Sequence, residues 1–439
     1  MPQVVEPTMS VLIAIVVNLP VGTNLGMLHF LWMLVSGKLL TNRGAIFPSL
    51  QATGLSEKAV RRSWNAFHSG MWQIGELMVV WTTYMEEQQQ WHPRCYEGYY
   101  AMAIDTTPFW RPKLKGLNSK YYNSVAEKAL PAVILGLVAR IGEVNGKRIA
   151  LPAAILRVHP KDPSEKGLKA DLLKRVSSIL NPLEIMLADA GFKVKSCHDA
   201  GIERYMVRLA KNFTARRNYL AYAPGKKGVK PEKGPSVRPL SRKYKGNEIA
   251  STPPDNTFTW QLESGETVTV YVWYDLVRPD VKPSETADLF DVFAIHDPRY
   301  NKPLLVATNV KLNSQTVHTL YTDRWPIEQL PLAGKQMVGA HRQFVFADET
   351  RHRLPELVIL AGSILTGMAA LHAEIPTGFW DRNPKATPGR FRRALNNLPF
   401  PQTYPLPARV RRKESVTDHL PKGILGHRRS KPDIQAVLT

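Results

Sequence analysis

The sequence predicts an α/β protein: a mixed sheet flanked by helices, interrupted by a β-rich insertion and preceded by a helical domain. Three observations predict it. Residues 1–95 read as helical; from residue 100 short apolar strands surround one amphipathic helix; and between 212 and 285 a basic Pro/Gly-rich stretch gives way to alternating apolar and polar residues. At 439 residues the chain is long enough for two or three domains, each with its own core.

Within 1–95, the segment 47–67 (FPSLQATGLSEKAVRRSWNAF) has the pattern of a helix-turn-helix. Thr53-Gly54 supplies the turn, and Ser56 is placed to cap the second helix. Val60, Trp64 and Phe67 form its apolar stripe, while Lys58, Arg61 and Arg62 share another face, available to phosphates or base edges. An ordinary helical hairpin with solvated Lys and Arg reads the same way. The apolar stretch Met9–Leu40 is interrupted by Asn18, Pro20, Asn24 and His29, too often for a spanning helix, and it lacks the basic start and cleavage site of a signal peptide.

Residues 96–211 form the first part of an α/β domain. Ala101–Ile104 predicts a strand ending at Asp105. Ala132–Ala139 and Ile149–Val158 predict two more, with Asn145-Gly146 as the turn between them. Residues 164–180 predict an amphipathic helix, Leu183–Leu187 a strand leading to Asp189, and Tyr205–Leu209 a fifth strand. Three antiparallel strands, then helix, strand, helix, strand, is the order of an RNase H-like sheet. Residues 212–285 hold a basic loop and a β-rich insertion with a hairpin, Thr257–Gln261 and Thr267–Tyr274, across Ser264-Gly265. Residues 286–375 return to the sheet with Phe290–Ile295 and Leu304–Thr308, then helices; 357–371 predicts a buried core helix, too short to span a membrane. Residues 376–439 form a Pro-rich extension, with thirteen Lys/Arg against three Asp/Glu in 381–431. It reads as a phosphate-tracking or partner-docking segment, or as a solvated disordered tail.

A formal net charge of +21 favours a polyanionic partner, most simply nucleic acid, over a membrane surface. Two cysteines exclude a disulfide framework, and their spacing to His92 and His198 fits no zinc motif. No phosphate-cradling glycine loop or GxSxG elbow occurs.

The densest chemical signal is Tyr321–Lys335, YTDRWPIEQLPLAGK. Glu328, Pro331, Leu332 and Lys335 follow one helical face, so one helix offers a carboxylate and, two turns on, an ammonium. A metal-bound phosphate needs both. Asp105 and Asp189, each after an apolar strand, are candidates to complete the ligand set, although an Asp after a strand more often caps a turn.

Tyr321, Arg324, Glu328 and Lys335, preceded by two strand-end aspartates, resemble the Tyr-Arg-Glu-Lys pattern of DDE transposases of the IS4-like group, to which the Tn5 transposase belongs; Trp325 matches some members too. The resemblance covers roughly residues 100–345. It implies an RNase H-like catalytic domain carrying a β-rich insertion. Asp105, Asp189 and Glu328 would be catalytic and would hold two Mg²⁺ ions, with Mn²⁺ as substitute. Thr106 and Thr107 would orient Asp105, and Tyr321, Arg324 and Lys335 would assist at the DNA end. Trp325 and Trp273 are candidates for stacking on a base, or for core packing. The expected partner is double-stranded DNA, both transposon ends and target, bound by a homodimer in the bacterial cytoplasm at the nucleoid, with no membrane. The expected activity is cut-and-paste transposition: cleavage at inverted repeats and joining of 3′-hydroxyls to target. A metal-dependent nuclease of the same fold without strand transfer, and a non-catalytic DNA-binding derivative, are the alternatives.

Overall fold

The computed structural model describes residues 3–221 and 231–413. The chain forms two compact units, one from the residues up to Gln90 with those from Leu330 onward, the other Trp91–Gln329. The first unit opens with helices α1 (Val5–Val16), α2 (Thr23–Val35), α3 (Lys38–Thr41), α4 (Ile46–Gln51), α5 (Glu57–Ser69) and α6 (Ile74–Glu87). The α2 helix is apolar on nearly every side and correspondingly buried. α4 and α5 meet through the expected turn: Gly54 takes φ +77°, and the Ser56 hydroxyl accepts the Ala59 amide at 3.4 Å. Val60 and Phe67 are buried, and Phe67 stacks on Phe30 at 4.4 Å.

The second unit is built on a large mixed sheet. Its elements are β1 (His92–Pro93), β2 (Cys95–Tyr96), β3 (Tyr99–Trp110), β4 (Lys120–Asn123), β5 (Lys128–Val144), β6 (Lys147–Arg157), α7 (Glu165–Ile179), β7 (Glu184–Ala188), α8 (Val194–Asp199) and β8 (Tyr205–Arg208). They continue as β9 (Ala215–Arg217), β10 (Ser236–Val237), β11 (Arg242–Tyr244), β12 (Asn247–Ile249), β13 (Asn256–Gln261), β14 (Thr267–Val277), β15 (Phe290–His296), β16 (Leu304–Thr308), α9 (Ser314–Thr322) and α10 (Pro326–Ala333). β6, β5 and β3 are antiparallel neighbours; β7 lies parallel to β3, and β8 parallel to β7. The β5–β6 turn is the expected Asn145-Gly146, both at positive φ. α7 covers the sheet with Leu168, Leu172, Leu173 and Val176. It comes close enough that a Cβ on Gly136 would lie 2.7 Å from the Leu172 side chain, so this β5 position needs glycine.

Three sequence expectations change here. Asp105 does not end its strand: β3 runs on to Trp110, paired with β5 throughout. The β-rich insertion is no separate body, because β14 pairs with β15 and β9, and β13 with β14, continuing the same sheet. Part of the basic loop, 222–230, falls outside the described residues, but its described flanks form β9 to β12.

After α10 the backbone enters a π-helical turn, Gly334–Val338, which ends at Gly339 with φ +103°. Helices α11 (Thr350–Leu371) and α12 (Pro388–Asn396) complete the first unit. At 22 residues α11 exceeds the expected 357–371 segment and is long and apolar enough, by length and composition, to cross a membrane; 89% of its most apolar window is buried inside the protein. Arg351, Arg353 and Pro355 disguised its first two turns. Trp81 Nε1 donates to Ser363 Oγ in its middle at 2.9 Å. The extension is also more ordered than its composition suggests. Phe391, Leu395, Phe400 and Val410 are all buried, so it packs at least as far as Val410; 414–439 lie outside the described residues.

Candidate active site

The site begins with strand register. β3 and β7 pair in parallel as Ala101↔Ile185, Met102↔Met186 and Ala103↔Leu187. Two residues further along come Asp105, still in β3, and Asp189, just past the end of β7 at Ala188. They are close enough that the Asp189 charge acts on the Asp105 carboxyl. The Thr106 amide donates to Asp105 Oδ1 at 2.8 Å, so Thr106 orients this carboxyl through its backbone; its hydroxyl instead meets the Tyr121 hydroxyl at 3.3 Å. Asp189 Oδ1 accepts the Gly191 amide at 2.9 Å. A Cβ on Gly191 would meet Lys169 Nζ at 2.6 Å and Asp189 Oδ1 at 3.0 Å, so the glycine lets the α7 lysine approach. Lys169 itself pairs with Glu165 at 2.5 Å.

The third carboxylate arrives from α10. Tyr321 lies near the end of α9, Arg324 in the turn that follows, and Glu328 in the first turn of α10, so the motif bends across two helices before continuing into the π turn that carries Lys335. Tyr321 is buried and its hydroxyl points to the Ala188 carbonyl at 3.5 Å, at the end of β7. Burial pushes the Tyr321 hydroxyl up to about 12. The Arg324 guanidinium lies 5.8 Å from the Tyr321 ring centroid and is paired through Nη2 with Glu328. Its Nη1 is buried without a hydrogen-bond partner, a costly state for a guanidinium.

Asp105 feels all of these groups. Burial lifts its carboxyl from 3.8 to about 6; Arg324 pulls it down, and the negative charges of Asp189 and Glu328 push it up again. The three carboxylates and one guanidinium therefore share one electrostatic neighbourhood. Among the described residues no three His, Cys, Asp or Glu side chains stand together closely enough to hold one metal ion. Asp105 and Asp189 each lie two residues beyond the last β3–β7 pair, while Glu328 is engaged by Arg324.

The turn between α9 and α10 is fixed by a group that the sequence pattern passed over. Asp323 is buried and accepts from the Tyr96 hydroxyl at 2.5 Å, Arg148 Nη1 at 2.5 Å and Arg94 Nη1 at 2.8 Å. This node ties the residue before Arg324 to β2, β6 and the β1–β2 link. Its sequence signal, an Asp inside the Tyr-to-Arg interval, is silent about its distant partners.

The remaining candidates separate. Trp325 is 53% exposed, as a stacking surface must be. Trp273 is 1% exposed and donates to the Pro253 carbonyl at 2.9 Å, which makes it a core residue and not a base platform. Lys335 belongs to the other unit, as do Lys58, Arg61 and Arg62 on exposed or half-exposed positions of α5, where Arg61 pairs with Glu57 at 2.6 Å. No protein-family model matches this sequence, and no curated protein matches it.

Proposed function

We propose that the chain is a DDE-type DNA transposase that cuts at transposon ends and joins them to target DNA, acting on double-stranded DNA as a dimer in the bacterial cytoplasm. The observation that carries this reading is the electrostatic convergence on Asp105 of Asp189, which follows the strand parallel to β3, of Glu328 and of Arg324, whose Nη1 is buried without a partner. The strand order β6-β5-β3-β7-β8, three antiparallel then two parallel, supports an RNase H-like assignment for this part of the sheet.

The donor set suits hard cations. Asp105, Asp189 and Glu328 offer only carboxylate oxygens, and the burial that raises Asp105, with the Asp189 and Glu328 charges adding to it, is a penalty that a bound cation would relieve. Two Mg²⁺ ions held by Asp105, Asp189 and Glu328 would supply nucleophile activation and leaving-oxygen stabilisation. For Glu328 to contribute, Arg324 must exchange it for another anion, and its buried Nη1, which has no partner, is a donor that a phosphate oxygen would satisfy. Tyr321, buried against Ala188, backs the guanidinium and orients it. Lys335 follows on the same helical run and is assigned a second phosphate contact, and Trp325 a base contact.

The test is direct. Purified protein with Mg²⁺ and linear DNA carrying the inverted repeats that flank its coding region should release ends and join them to a plasmid. Cleavage without joining would reduce the reading to a nuclease, and no cleavage would remove it. A pH profile gives a second check. Because the Asp105 carboxyl is raised to about 6, a cation must displace a proton below that pH. Cleavage at fixed Mg²⁺ should fall about tenfold per pH unit below 6 and flatten above it, and higher Mg²⁺ should shift the profile to lower pH. A profile flat down to pH 4.5 would contradict the role of Asp105.

A further inference from the structure

We infer that the C-terminal segment ending in Arg412-Lys413 and helix α5 together build a cleft that grips the sugar-phosphate backbone of duplex DNA without reading its bases. The cleft encloses about 600 Å³ in the unit that holds both segments. Lys58, Arg61 and Arg62 rise from α5 on one side, Arg412 and Lys413 from the extension on the other, and Asn65 continues the α5 face one turn on. Among the described residues that line it, none carries a carboxylate; the neighbouring Glu57 is paired with Arg61, and no acid faces Arg62, Arg412 or Lys413 from the lining.

The extension is built into this wall. The Gly22 amide donates to the Arg411 carbonyl at 3.1 Å, and the buried Asn24 side chain donates to the Arg409 carbonyl at 2.8 Å. Phe400 is buried edge-on against His29 at 4.6 Å and Trp32 at 5.9 Å. Gly22, at φ +83°, brings the backbone so near that a Cβ there would lie 2.8 Å from Lys413 Cγ. Folding thus spends several specific contacts to hold two cations against three others. The repulsion is visible in Arg62, whose proton affinity is lowered by burial and then by Arg412, and in His29, held down to about 4 by burial and then by Arg62. Such an arrangement is relieved by a polyanion.

The shape selects which part of a nucleic acid enters. A recognition helix must project to reach base edges in a major groove about 12 Å wide. Here the basic face of α5 is the floor of a cleft walled by the extension, which admits a ridge, and the phosphodiester strand is the ridge of a duplex. This rests on the reading of the chain as an enzyme of DNA, and of the two partners open to Lys58, Arg61 and Arg62, phosphates or base edges, it takes the phosphates.

The experiment uses the full chain and a fluorescein-labelled duplex of arbitrary sequence lacking transposon ends, with affinity measured over a salt series. The Arg412→Gln/Lys413→Gln double variant and the Lys58→Gln/Arg61→Gln double variant should each bind at least about tenfold more weakly at low salt. Each should flatten the log–log salt dependence by about 1–2, as expected for one or two lost phosphate contacts. Arg412→Lys should keep the wild-type slope. Thermal midpoints identify any double variant that does not fold, and for such a pair its own single Gln variants, Arg412→Gln and Lys413→Gln or Lys58→Gln and Arg61→Gln, provide the slope. A wild-type slope in the folded Gln variants would overturn the cleft, as would a loss seen only on phosphatidylserine vesicles and not on duplex. Absence of Mg²⁺-dependent cleavage together with the altered slopes would instead overturn the transposase reading and leave the cleft standing.

Discussion

Replacing Asp105 with Asn is expected to abolish DNA cleavage while making the cation-free protein more stable. The two effects share one cause. Asp105 is half-buried beside Asp189 and Glu328, and its carboxyl is raised from 3.8 to about 6. A group whose folded-state pKa is raised contributes most below its unfolded pKa, and that contribution is lost as pH rises through the folded pKa. Between about pH 4 and 6 the folded chain therefore loses stability at this residue, and above 6 it carries the full penalty of an ionised, crowded carboxylate. Asn has no charge to desolvate. Asp105→Asn should raise stability by about 1–2 kcal/mol at pH 8, after allowing for partial solvent screening, and by almost nothing at pH 4. Chemical denaturation at the two pH values, without divalent cations, reads this directly. Cleavage should fall at least about a thousandfold, roughly 4 kcal/mol of transition-state stabilisation, and Asp189→Ala and Glu328→Ala should do the same with end binding preserved. Cleavage surviving any one of these changes would refute the assignment. A stability gain that did not fade with acid would mean that Asn improves packing and leaves charge out of it.

What the sequence disclosed and what it concealed divide along physical lines. Asp105, Asp189 and Glu328 were legible because each sits in a short local pattern: an apolar run ending in Asp, or a spaced motif. The length of β3 was not. Thr106-Thr107-Pro108 looks like a strand terminus, yet β3 continues because β5 still pairs with it after β7 has ended, leaving an edge on which proline is tolerated. The break between α9 and α10 has a local marker that the motif reading passed over, Pro326, since the residue before proline avoids helical backbone and proline favours the first helical turn. The π turn around Lys335 had no comparable marker. The extension beyond 380 looked too basic and proline-rich to pack, because its few apolar anchors, Phe391, Leu395, Phe400 and Val410, are widely spaced; Phe391 meets His372 at the end of α11, and Phe400 meets His29 and Trp32 on α2, at the other end of the sequence. Tail residues 409–413 and helix α5 are more than 300 residues apart, a pairing that periodicity cannot express.

Asp323 is the sharpest case of such a hidden pairing, and its removal should produce the largest loss of stability of any single change near the site. Its carboxylate is 4% exposed and serves three donors, from Tyr96, Arg94 and Arg148, of which Tyr96 is 227 residues away and Arg148 is 175 away. Asp323→Ala leaves two guanidiniums and a buried phenol without their acceptor. Both arginines are about one-third exposed and recover some hydration, so the cost is set below that of a fully buried pair, at about 2–4 kcal/mol. Burial, and then the bond to Asp323, hold the Tyr96 hydroxyl far above its ordinary value, so the phenol stays a donor at every pH the protein meets. Tyr96→Phe should therefore cost only about 1 kcal/mol, the value of one hydrogen bond, because the ion pairs remain. The same node anchors the residue that precedes Arg324, so its loss should loosen the guanidinium and the start of α10 together. If Asp323 acts by positioning, Asp323→Asn at a temperature where it is fully folded should lower kcat with little change in KM for the DNA end, and Arg148→Lys, which keeps a charge pair with Asp323, should lower it less. If Asp323 only holds the fold together, kcat per folded molecule will be unchanged in Asp323→Asn, and the turn between α9 and α10 will have to be fixed by the helices themselves.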